Sequence, residues 1–389
     1  MLNRRLLRIK VMQALYALRQ AEQSNQQLAV DFIQETFQPD LNSMKPQNLP
    51  QLEVFRNQAT QLFEEALKNN QLIQESDIPP QVRKAAVDAL TYYRNRTAKD
   101  QQQTFQRATE EVRTLDDSYI RLLTLLTQLA HVARIDRERT HQDPDAPQLA
   151  TDSGLDQNRV IRALSEFRPL EVEAQRRGIS WSDELPLVRK IFNDVLKHDD
   201  AYQAYCENYQ HTDEEEQALV QHILRNVLLK QDPARHYFEE NVLNWHENSE
   251  VVRGMAIKTL KSAQSEEGLR LVPLTDDWEE DLLFMETLYK KSLENDAEYE
   301  RLLADQLTNW DVERVALTDK IILKLALCEL LNFPNIPVKV TINEYIDLAK
   351  TYSTPKSGKF VNGILDSLSE KLKTSGQLRK SGRGLLDNR

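Results

Sequence analysis

Apolar residues recur at helical spacing along most of this chain, and the pattern predicts an all-α protein. It is clearest between Asp319 and Lys373. Ile322, Leu325, Ala326 and the run from Cys328 to Leu331 predict a helix over 319–331, with Asp319 as its cap or first-turn acid. The stretch Asn332-Phe333-Pro334-Asn335-Ile336-Pro337 ends that helix, because proline lacks an amide donor and turns the preceding residue away from α. Thr341 and Glu344 have the spacing of a capping box and predict a helix running to about Tyr352, with Ile342, Tyr345, Ile346 and Ala349 on one side. A turn over 353–358 leads to a last helix from Lys359, with Phe360, Ile364, Leu368 and Leu372 facing inward.

At the other end, a helix is expected over 2–22, with Leu7, Val11, Ala14 and Leu18 as its apolar stripe. Arg4, Arg5 and Arg8 fall in one narrow arc of its first two turns, where cations oppose the helix dipole. They are either a charged, exposed turn or a functional cluster. A shorter helix over 24–37 and a linker over 38–49, marked by Pro39, Pro46 and Pro50, follow. Further helices are expected over 52–70 and 104–137, and the polar, proline-broken stretch 140–154 is the best candidate hinge. Leu187, Ile191, Val195 and Leu196 recur 32 residues later as Leu219, Ile223, Val227 and Leu228. A 65-residue shift then aligns Leu219 and Trp245 with Phe284 and Trp310. Helical stripes match one another easily, so chance explains these recurrences as well as duplication does.

Composition narrows the class. A chain of 389 residues is long enough for two or three domains, and only 9 glycines argue against Gly-rich turns. Cys206 and Cys328 are far apart and suggest a reducing compartment, not a disulfide framework. No apolar run reaches membrane length, and Arg8 and Lys10 interrupt any signal-peptide core, so a cytoplasmic protein is expected. The net charge is −11, but residues 1–21 carry +5 and residues 350–389 carry +6, leaving −22 on the body between them. Such segregation suits either a phosphate-binding surface or merely solvated tails.

Catalytic and metal signatures are missing. There is no CxxC pair and no HExxH, and Ser357-Gly358-Lys359 lacks the upstream glycine of a phosphate loop. His131 reads as a surface histidine, and the acidic runs at 213–216 and 279–281 as solvated faces. Catalytic residues, metal and cofactor are therefore all expected to be none, and binding is what remains.

Two segments carry a resemblance. Lys359-Phe360-Val361-Asn362-Gly363 with Leu365 and Asp366, preceded by Ile342-Asn343-Glu344 and Leu348-Ala349-Lys350, resembles the C-terminal half of the NusB family of transcription antitermination factors. Arg4, Arg5, Arg8 and Gln13-Ala14-Leu15-Tyr16 resemble that family's first helix, although Leu6 stands where members often have another arginine. The resemblance implies a NusB-like helical bundle built from the two chain ends. Residues 1–24 would supply the first helix, 25–275 a large helical insertion, and 276–389 the remainder with a basic tail, with 24–37 left open between the insertion and the core.

It also implies a non-enzymatic factor that binds boxA-type rRNA leader RNA with NusE, a small-ribosomal-subunit protein, within the RNA polymerase complex. Phosphate contacts need flexible cations, and Arg4, Arg5, Arg8, Lys356 and Lys359 are the candidates. Reading single-stranded RNA needs planar groups and amides. Phe360 and Tyr16 are of the first type, although helical spacing equally makes them core aromatics; Gln13 and Asn362 are of the second, although Asn362 also suits a helix brace. The family's docking face points to Asp319 and Glu329 for NusE. The alternatives are a helical scaffold without RNA binding and the accessory RNA-binding module of an rRNA methyltransferase.

Overall fold

The computed structural model describes residues 2–42, 46–69, 78–142, 154–208, 210–306 and 315–388; the expected hinge lies almost wholly outside them. Every regular element among the described residues is helical, and no β-strand occurs there. In chain order the α-helices begin with α1 (Arg4–Thr36), α2 (Leu49–Asn69), α3 (Pro80–Gln142), α4 (Arg159–Ser165) and α5 (Arg168–Arg176). Next come α6 (Leu185–Lys190), α7 (Asp200–Cys206), α8 (Asp213–His222), α9 (Ala234–Asn241) and α10 (Trp245–Ser262). The last five are α11 (Trp278–Glu294), α12 (Asp296–Gln306), α13 (Leu317–Asn332), α14 (Val338–Tyr352) and α15 (Ser357–Thr374).

The chain forms two compact units, Met1–Leu7 with Glu110–Leu282 and Arg8–Thr109 with Leu283–Arg389. These divisions differ from the boundaries expected at 24 and 275. Residues 25–109 fold with the C-terminal block, because α1 does not stop at residue 22. Nothing between Gln23 and Asn25 breaks a helix, and the Asn25 side chain is buried and donates to Asp100 Oδ2 at 2.6 Å. The apolar stripe continues through Ala29, Ile33 and Phe37. It closes a small core with Ala59 and Phe63 of α2 and Val82, Ala86 and Leu90 of α3. α3 opens with a proline at its first position, where the missing amide costs nothing. No glycine or proline then interrupts it before residue 142.

The C-terminal block is organised around α13, which is apolar on every side and buried almost throughout. It stops where the sequence predicts, ahead of Pro334, and Asn332 closes its last turn by donating to the Cys328 carbonyl at 2.9 Å and to Tyr299 Oη at 3.1 Å. α14 starts one turn earlier than expected, directly after Pro337. Thr341 and Glu344 therefore lie inside the helix and form no capping box. α15 likewise begins at Ser357 and not at Lys359.

The other unit is built from shorter helices held by side-chain caps. Asn158 accepts from the amides of Val160 and Ile161, Asp199 caps α7, and Thr212 with Glu215 forms a true capping box on α8. The 32-residue recurrence coincides with a shared distortion. Ile191 and Ile223 each begin a π-helical turn, over Ile191–Val195 and Ile223–Leu228. The 65-residue recurrence ends at Trp310, outside the described residues.

Candidate nucleic-acid interface

Asp319 fixes the start of α15 from within. Its side chain is only 6% exposed, and its Oδ2 accepts from Ser357 Oγ at 2.8 Å. Ser357 Oγ in turn accepts from the Thr354 amide at 3.2 Å and lies 2.8 Å from Thr354 Oγ1, so the turn before α15 is tied to α13. The stem of Lys350 lies against Gly358, where a Cβ would come within 2.7 Å of Lys350 Cγ. This packing turns Lys356, Lys359 and Asn362 outward. All three are exposed, and among the described residues neither lysine makes an ion pair. Phe360, beside them, is half-buried and already in contact with other groups. No side chain caps α15, so the positive end of its dipole adds to the field of the two lysines.

On α1, Tyr16 is 42% exposed and Gln13 half-buried, with Gln13 Oε1 buried and unpartnered. Three residues apart on a helix, they stand about 60° from each other. Arg4 and Arg5 belong to the other unit. Arg4 pairs there with Glu280 at 2.5 Å, and Arg5 is exposed.

Arg8 and Glu329 overturn their expected roles. Arg8 is 3% exposed and Glu329 fully buried, and they bind each other: Nε to Oε2 at 2.7 Å and Nη2 to Oε1 at 2.9 Å. Thr341 Oγ1 also donates to Glu329 Oε1 at 2.8 Å, and Tyr345 Oη to Oε2 at 3.3 Å. Arg8 further approaches Glu344 at 3.5 Å and stacks over Phe284, 5.6 Å from the ring centroid. Burial alone would weaken the guanidinium's hold on its proton, but the hydrogen bonds and charge of Glu329 outweigh it and raise the Arg8 pKa. The same surroundings push Tyr345 well above the ordinary phenol range, burial first and the Glu329 carboxylate second. Arg8 thus offers nothing to a phosphate, and Glu329 nothing to a docking partner. Asp319, 6% exposed, is likewise turned to the interior, where it holds Ser357.

The signal for this pair was present in the sequence. Glu329 is the one charged residue in the otherwise apolar run from Leu325 to Leu331, and a buried charge requires a partner. Which cation answers it, 321 residues away, no local pattern could tell. Thr341, Tyr345 and Phe284 complete the group. Along α13 the two ends separate cleanly. Arg8 meets Glu329, while Asp319 holds the start of α15 ten residues earlier, about 15 Å along the axis.

A family model described as the NusB family matches residues 250–370. The chain is similar to the transcription antitermination protein NusB of Salinibacter ruber, 37% identical over 142 residues, covering 34% of this chain and 88% of that protein. It is 42% identical over 104 residues to the protein of that name from Chloroherpeton thalassium, covering 27% of this chain and 49% of the relative. The Bacillus mycoides protein of the same name is 36% identical over 97 residues, covering 25% and 75% respectively. No solved structure matches. Among the described residues no helix is long and apolar enough to cross a membrane, and no group of three or more acidic, histidine or cysteine side chains could hold a metal.

Proposed function

The chain belongs to the NusB family, and we propose that it acts in transcription antitermination by binding a boxA-type segment of rRNA leader transcripts together with NusE. On this reading it makes and breaks no bond. It joins RNA, adaptor and RNA polymerase into a salt-sensitive assembly that reads through terminators. Lys356 and Lys359 supply phosphate contacts, Asn362 and Gln13 reach base edges, and Tyr16 and the accessible part of Phe360 offer stacking faces. Arg5, at the start of α1, is a separate proposed phosphate contact.

The observation that carries this reading is a contrast within one compact unit. Arg8 and Glu329 are buried against each other, whereas Lys356 and Lys359 are exposed at a helix start and, among the described residues, make no ion pair. The test is an anisotropy titration with leader RNA and a scrambled control, each with and without NusE. Tighter binding to the leader, strengthened by NusE, is expected. Equal affinity for both RNAs with NusE present would overturn the reading in favour of a helical scaffold.

A further inference from the structure

Past the matched family region, which ends at 370, the chain does not trail away. It turns at Gly376, where φ is +72°, with the amides of Gln377 and Leu378 both 3.0 Å from the Leu372 carbonyl. It then returns to the connection between α13 and α14. Lys380 Nζ donates to the Phe333 carbonyl at 3.0 Å, the Ser381 amide to the Pro334 carbonyl at 3.0 Å, and Ser381 Oγ to Asn335 Oδ1 at 3.2 Å. Gly384 lies so close beneath Pro334 that a Cβ there would come within 2.0 Å of the carbonyl oxygen. The docked tail is strongly cationic: residues 371–383 carry Lys371, Lys373, Arg379, Lys380 and Arg383 and no acid. Arg379 and Arg383 are exposed, and among the described residues neither side chain makes an ion pair.

We infer that this docked tail is a second phosphate-contact patch, which engages the RNA chain outside the segment held at the start of α15. This rests on the RNA-binding reading above. Guanidinium groups suit phosphate oxygens, and Arg379 and Arg383 present two of them from a backbone fixed at Phe333, Pro334 and Asn335. The patch is separate from the first. Lys359 and Lys373 lie at opposite ends of the outward face of α15, with the exposed acids Asp366 and Glu370 between them. At 1.5 Å per residue that face is about 20 Å long, so only an RNA that extends beyond the first site can reach both.

Fluorescence anisotropy at three or more salt concentrations tests this on the full chain. The probes are a short leader RNA and the same RNA extended at both ends. Arg379→Gln with Arg383→Gln is expected to weaken extended-RNA binding roughly three- to tenfold and to lower its salt slope by about 1.4, leaving the short RNA unchanged. Gly384→Ala keeps every charge but unseats the tail, and is expected to weaken extended-RNA binding as well. Wild-type affinity and slope of the Arg379/Arg383 variant on extended RNA would overturn the inference, provided that Lys356→Gln with Lys359→Gln still weakens both RNAs. A Gly384→Ala protein indistinguishable from wild type would show that the charges act as a loose tail and not as a placed patch. If the wild-type protein binds neither RNA, the RNA-binding reading falls first.

Discussion

The two ends of α13 treat charge in opposite ways. Near its C-terminal end an arginine from the start of the chain is drawn into the core and saturated by Glu329, beneath Thr341 and Tyr345. At its N-terminal end the buried carboxylate of Asp319 binds a serine hydroxyl, and the neighbouring lysines remain in solvent. The same residue types therefore do unlike work within one helical block. A buried charge contributes by fixing which surfaces meet, and an exposed one by remaining available to a ligand.

The largest expected effect falls at the closed end. Glu329→Ala leaves Arg8 buried without its carboxylate and two hydroxyls without their acceptor. It is expected to lower unfolding free energy by about 3–5 kcal/mol. A loss below about 1 kcal/mol in urea unfolding would erase the distinction between the two ends. Arg8→Lys keeps the charge but loses the two-pronged geometry, and about 2 kcal/mol is expected by the same measurement. Thr341→Val removes one hydrogen bond to a charged acceptor, worth about 1–2 kcal/mol.

The open end should behave otherwise. Lys356→Gln with Lys359→Gln is expected to change stability by less than about 0.5 kcal/mol, while the salt slope of RNA binding drops by about 1.4. A large stability loss here would mean that these lysines are structural. The smallest effect is chemical. Burial raises the pKa of both thiols, Cys328 to about 11 and Cys206 in the same direction, so thiolate is scarce at pH 8. Cys206, partly exposed, should still label slowly with a thiol reagent, and the buried Cys328 only once the block unfolds. Because its folded pKa is raised, the contribution of Cys328 is fully present below about pH 9 and is lost as pH climbs towards 11.

Much of the fold was legible. The apolar stripe of α13, the proline stop at Pro334 and the inward set Ile364, Leu368 and Leu372 of α15 are all where periodicity places them. The errors were local signals outvoted by packing. Thr341 and Glu344 have capping-box spacing, yet Pro337 starts the helix first and frees both side chains for Glu329 and Arg8. The expected break after residue 22 disappeared because the stripe of α1 continues into contacts with α2 and α3.

The sequence by itself determined the helical class, the course of the last three helices and the family, since these depend on spacing within a few turns and on short runs of residue types. Only the tertiary structure decided which charges are buried. The fate of Arg8 depends on a carboxylate 321 positions away, and the energy of a charge is set by what surrounds it in space.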